Sequence, residues 1–138
     1  MADVVIDSNI WCYYFDKTTP EHEIVISYLD NLFDKMSVAI NVVILMECSH
    51  YLIKNLGSII GKEKIDILTS SGIEITELTF DESKSAINFL SKYSHLGIGG
   101  RDATILACMQ KLHINQLITH DKSFTRINDI SVIDPVSP

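Results

Sequence analysis

No apolar run in this chain approaches the roughly 18 uninterrupted residues that cross a bilayer as a helix, so no membrane-spanning helix is expected. The opening residues MADVVIDSN lack both the basic n-region and the small-residue cleavage site of a secretory leader. The expectation is a soluble, cytoplasmic protein. Cysteine is sparse: Cys12, Cys48 and Cys108 are odd in number, far apart and never in a C-x-x-C pair. That pattern supports neither a disulfide framework nor a zinc ribbon, and buried thiols are the expectation. Cations are outnumbered too, with 11 Lys and Arg against 18 Asp and Glu, a net charge of −7. Such a balance argues against a general nucleic-acid coat, which draws on Lys and Arg. It leaves room for an enzyme whose acids are neutralised by bound cations. Repeats, low-complexity tracts and blocks of like charge are missing as well.

What is present is 138 residues with 46% hydrophobic content, enough for one domain with one core. Asp3 to Ile6 reads as a short buried strand, and Ser8 to Phe15 as a turn into an aromatic segment. From His22, the apolar residues Val25, Tyr28, Leu29, Leu32, Phe33 and Met36 recur at helical spacing. Ser37 to Ile40 is a second strand, ended by Asn41, a good N-cap for a helix running to Leu56. Gly57 closes that helix, another spans Ile59 to Ser71, and Gly72 stops it. Ile73 to Leu78 reads as a strand and Asp81 to Leu96 as a helix with acids in its first turn. GIGG, residues 97 to 100, is a flexible joint into a helix over Arg101 to Leu112. A strand over Gln116 to Thr119, a turn or short helix near Lys122 to Arg126 and a strand near Val132 complete the chain. Strands alternating with helices predict an α/β fold: a central parallel sheet of four to five strands, flanked by helices in three α/β/α layers.

Two strands run straight into acids, VVI into Asp7 and QLITH into Asp121. Ligands of parallel α/β folds lie outside the carboxyl ends of the strands, where both acids stand. Asp102 opens a helix whose inner stripe continues through Ile105, Leu106, Met109 and Leu112. Glu47 is embedded in the apolar run VVILMECSHYLI, where a buried lone glutamate is costly unless protonated, paired or metal-bound. Each acid has a plainer reading: Asp7, Asp102 and Asp121 as helix caps, Glu47 as a half-exposed side chain reaching solvent. Capping, however, predicts no common location. Four carboxylates gathered at about 4 Å repel by about 4 kcal/mol per pair at an effective dielectric near 20. They require cations or retained protons, and removing one charge should relieve the fold when no cation is bound. Oxygen ligands without His or Cys at ligand spacing select Mg²⁺ or Mn²⁺ over Zn²⁺. Such ions serve attack on phosphate, and a phosphodiester nuclease is the inference.

The segments VVIDSNIWCYYF, VVILMECSHYL, GGRDATILACM and LITHDKSFTRI, with VIDP at the close, together resemble the PIN-domain ribonucleases, especially the VapC toxins of prokaryotic toxin–antitoxin pairs. The resemblance runs from Val4 to Pro135. It implies that Asp7, Glu47, Asp102 and Asp121 are the family's acidic quartet, with Asp7, Asp102 and Asp121 on the principal metal and Glu47 completing the site. It further implies that Asn9 and Thr119 orient the acids or water, that RNA is cut with Mg²⁺ or Mn²⁺, that the chain forms a homodimer, and that a cognate antitoxin silences it. His120 stands where many members carry a basic residue. Arg101, Lys122 and Arg126 flank the acids and are candidate phosphate contacts; solvent-facing charge is the alternative.

Other readings fit less well. A response-regulator receiver wants a second acid beside Asp7, a haloacid-dehalogenase-type phosphatase wants D-x-D where Asn9 intervenes, and a dinucleotide-binding module wants a Gly-rich turn where SNIW stands. Within the resemblance, a catalytically silent interaction module, an RNA-processing member and a DNA-cutting member stay open. The scattered histidines read as surface residues, His50 beside Glu47 included. Trp11, Tyr13, Tyr14 and Phe15 read as core or dimer packing before base stacking.

Overall fold

Strands that are apolar at every position need cover on both faces, and their sequence places them in the middle of a parallel sheet. β1 (Val4–Ile6) and β2 (Val38–Asn41) are buried at every residue. β3 (Glu74–Thr76) and β5 (Ser131–Ile133) each begin on an exposed polar residue, as sheet edges do. The computed structural model describes residues 1–138 and arranges these strands with β4 (Gln116–Ile118) in the order β3-β2-β1-β4-β5, all parallel. Val5 sits between Ala39 of β2 and Leu117 of β4.

The chain steps outward from β1 to β2 to β3, then returns past β1 to β4 and β5. Right-handed crossovers travelling in opposite directions put their helices on opposite faces, so the sheet is covered on both sides. The helices are α1 (Ser8–Phe15), α2 (His22–Phe33), α3 (Val42–Leu56), α4 (Ser58–Thr69), α5 (Phe80–Tyr93) and α6 (Gly100–Leu112). Short 3₁₀ turns occupy Ser94–Leu96 and Lys122–Arg126. None of the helices is long and apolar enough to cross a membrane. The three-layer α/β architecture with five parallel strands is the one expected, and all three cysteines are free and buried.

Local chemistry explains the boundaries. Asn41 ends β2 and caps α3, its Oδ1 accepting the Ile44 N–H at 2.8 Å. Thr79 caps α5 through the Glu82 N–H at 3.1 Å, and Asp81 and Glu82 favour the positive end of that helix. Buried Glu82 meets Lys111 of α6 at 2.5 Å, joining α5 to α6. Gly61 of α4 lies where a Cβ would approach the Leu52 carbonyl and the Ile53 Cα at 2.7 Å, so only glycine lets α4 cross α3 this closely.

The aromatic segment 8–15 forms a two-turn helix, not a turn. Its run WCYYF lacks the polar alternation that signals a helical period. Trp11, Tyr14 and Phe15 nevertheless share a face, and Trp11 stacks on Phe33 of α2 at 6.0 Å. That is the packing role expected of them. The GIGG segment is also more specific than a flexible joint. Gly97 has φ of 87° and requires glycine. Gly99 has an ordinary extended φ of −93° and begins α6 as its N-cap, while Gly100 is already helical.

Candidate active site at the carboxyl edge of the sheet

Asp7 leaves β1 fully buried and becomes the N-cap of α1, Oδ1 accepting the Ser8 N–H at 2.7 Å. Its Oδ2 accepts the hydroxyl proton of Thr119 at 2.7 Å. Thr119 follows β4, the neighbouring strand, and the same hydroxyl accepts the Asp121 N–H at 3.0 Å and an Asn9 amide proton at 3.3 Å. Asn9 completes the connection by accepting the His120 N–H at 3.2 Å. One saturated hydroxyl thus ties the acid after β1 to the acid after β4. Asp121 in turn caps the 122–126 turn, Oδ1 accepting from the Ser123 N–H at 2.9 Å and its hydroxyl at 2.5 Å.

The remaining acids arrive from helices. Asp102, in the first turn of α6, accepts the Gly99 N–H at 3.3 Å on Oδ2 and Arg101 Nη1 at 2.7 Å on Oδ1. Glu47, on α3, keeps 41% of its side chain exposed and accepts the Ser8 hydroxyl at 3.3 Å. Arg101 lies at the centre. Its Nη2 is paired with Asp7 Oδ1 and donates to Ser8 Oγ at 2.7 Å, while Nε lies against Glu47 Oε1. Three of the four expected acids therefore converge on one guanidinium, and Asp121 is joined to Asp7 through Thr119. Burial pushes the Asp102 carboxyl above its ordinary value and the charge of Asp121 adds to this, with the Gly99 N–H and Arg101 pulling the other way. As the side chains stand, no three acids, imidazoles or thiols lie close enough to hold one metal ion. The guanidinium is interposed among them.

The family model for the PIN domain matches residues 4–130. The chain belongs to the PIN domain family. Solved structures repeat its fold along nearly the whole length. The toxin VapC20 of Mycobacterium tuberculosis, described as cleaving the sarcin-ricin loop, superposes with a TM-score of 0.77 at 18% identity, covering 91% of this chain and 95% of its own. VapBC2 of Rickettsia felis, bound to a promoter DNA fragment, gives 0.75 at 20% identity over 95% and 97%. A toxin–antitoxin complex from Klebsiella pneumoniae gives 0.72 at 22% identity over 96% and 98%. No curated protein matches significantly in sequence. The resemblance read from the four motifs, and the fold it implied, are those found.

Around the acids of this PIN domain, the other expected residues have varied positions. Lys122 reaches Asp134 at 2.6 Å and the Ser137 carbonyl at 3.2 Å, away from the acids. His120 also turns to Asp134, at 2.9 Å. Arg126 is exposed on the 3₁₀ turn. Arg101, expected at the phosphate side, sits among the carboxylates. Ser8 escaped the sequence reading, although a hydroxyl directly after a capping acid is well placed to face whatever that acid faces. Asn41 does more than cap α3: its amide also donates to the Thr104 carbonyl of α6 at 3.2 Å, fixing α6 against the end of β2. A mostly apolar cleft of about 550 Å³ lies away from the acids, between Trp11, Phe33 and Ile73.

Asp134 forms a separate polar knot at the end of β5. Burial pushes its carboxyl up, but Lys122, His120 and the backbone N–H groups of Ser137 and Val136 outweigh burial and hold it at about 2, below the ordinary 3.8. A carboxyl lowered on folding contributes stability above its unfolded pKa and loses it as pH falls through the folded value. The contribution is about 1–2 kcal/mol after allowing for the exposed Lys122 partner. Asp134→Asn is accordingly less stable than the parent in urea at neutral pH, and the gap narrows between about pH 4 and about pH 2.

Proposed function

We propose that this PIN domain is a Mg²⁺- or Mn²⁺-dependent endoribonuclease and the toxin member of a toxin–antitoxin pair. One observation carries the reading: carboxylates from the end of β1, from α3 and from α6 converge on a single cationic group at the carboxyl edge of the sheet, and the Asp121 backbone N–H is tied to the Thr119 hydroxyl that also holds Asp7. Four carboxylates against one guanidinium leave three negative charges in excess, and every acidic donor is a hard oxygen, a set that fits Mg²⁺ or Mn²⁺. Asp7, Asp102 and Asp121 would hold the ion, with Glu47 completing the site. When bound, the ion supplies Lewis-acid activation of water and neutralises charge at the phosphodiester.

The chain's own groups supply position. Thr119 and Asn9 fix Asp7 and the start of the Asp121 turn, the outer support that metal ligands need. Lys122 and Arg126 stand on the turn that follows Asp121, where a phosphate backbone could pass. An antitoxin partner is supported by the toxin–antitoxin complexes among the similar structures. Met46, Ile59, Phe80 and Ile87 expose apolar side chains that a second protein, an antitoxin or another copy in a homodimer, would cover.

The deciding experiment incubates purified protein with total RNA in Mn²⁺ or EDTA and sequences the new ends. Discrete new ends in Mn²⁺, absent in EDTA, are expected. Intact RNA in Mn²⁺ would overturn the proposal.

A further inference from the structure

We infer that Arg101 is a built-in counter-ion that competes with the divalent cation for the same carboxylates, so that ion binding turns its guanidinium out of the acidic cluster. The inference rests on the nuclease reading above and concerns what occupies the site before the ion does.

The geometry sets Arg101 apart from an ordinary structural ion pair. Lys111 meets one acid, Glu82. Arg101 meets three acids from three separate elements, using a different nitrogen for each: Nη2 for Asp7, Nε for Glu47 and Nη1 for Asp102. No other Lys or Arg is in ionic contact with these carboxylates. An ion ligated by the same oxygens would stand beside the guanidinium, and two cations a few ångströms apart repel strongly. The two occupants therefore exclude one another.

The arginine is also placed to leave. Its Nε is buried and meets Glu47 as an ion pair only, without the alignment of a hydrogen bond. The side chain as a whole is 29% exposed, which connects it to solvent. The backbone next to it is uncrowded, since Gly99 and Gly100 have nothing within 4 Å of the position of a Cβ. A resident cation that must be displaced lowers the apparent affinity for the incoming one by the fraction of molecules already open.

Two measurements without RNA test this. In calorimetric titration with MnCl₂, Arg101→Gln binds about tenfold more tightly than the parent if about one molecule in ten is open beforehand. Lys122→Gln removes a nearby charge that does not touch these acids, and shifts affinity by less than about twofold because exposed charge is screened. In the unmodified protein, phenylglyoxal labels Arg101 faster once Mn²⁺ is added, while Arg126, the only other arginine, keeps its rate as an internal reference. The labelling needs no variant and stands even if Arg101→Gln folds poorly. Equal or weaker Mn²⁺ binding by a folded Arg101→Gln, an equal gain in Lys122→Gln, or unchanged labelling of Arg101 would overturn the competition and leave the nuclease reading in place. Absence of Mn²⁺ binding by both parent and Arg101→Gln would overturn both.

Discussion

Asp7→Asn should abolish measurable RNA cleavage, a loss of at least about 100-fold on the scale of removing one charge-stabilising group from a reaction centre. The same change is expected to weaken the fold. Viewed as one of four clustered negative charges, Asp7 would be better neutralised when no ion is bound. The structure reverses that sign, because Arg101 already compensates the cluster and Asp7 is the fully buried partner. An asparagine can still accept from the Ser8 N–H, but it must turn an amide group toward either the Thr119 hydroxyl or the guanidinium. Hydrogen bonds to charged groups contribute about 1.5–3 kcal/mol, and Arg101 retains two other acids, so a loss of about 1–2 kcal/mol is expected. Urea denaturation in EDTA measures the stability, and the Mn²⁺-dependent RNA assay measures cleavage. Parental activity in a folded Asp7→Asn would remove this residue from the reaction.

Phe124→Ala is expected to cost about 3–5 kcal/mol, a large part of the roughly 5–15 kcal/mol that holds a domain together. Phe124 is the largest fully buried side chain, yet it belongs to the five-residue turn that Asp121 caps. Its ring anchors that turn in the core, so the site acid and the hydrophobic interior are mechanically connected over three residues. Thermal melts should show the loss. Phe124→Leu, which keeps most of the volume, should recover most of it. If Phe124→Ala melted with the parent, the turn would be held by its hydrogen bonds alone.

These two residues show what was legible in the sequence and what was not. Asp7 and Asp121 were visible because an apolar strand that ends abruptly in an acid marks the carboxyl edge of a parallel sheet. Asp102 and Glu47 were visible as charges on apolar helical faces. The choice between cap and site ligand was not, because a carboxylate has two oxygens: Asp7 and Asp102 each cap with one and face Arg101 or Thr119 with an available lone pair. Helix α1 was hidden because tertiary stacking of Trp11 on Phe33, not polar periodicity, stabilises it. The position of Arg101 depends on the distance between α6, α3 and β1, which no local pattern encodes. Phosphate contact and acid pairing read the same in sequence.

Capping also determines which parts of the site can adapt. Backbone N–H groups pin the side-chain torsions of Asp7, Asp102 and Asp121, so their oxygens have little freedom to follow an ion of a different radius. Glu47 has one more rotatable bond, no backbone tether and a partly open surround. In the proposed metal site, adjustment between a smaller and a larger ion would therefore fall on this one rotor, and a preference for one metal over another would be set on α3.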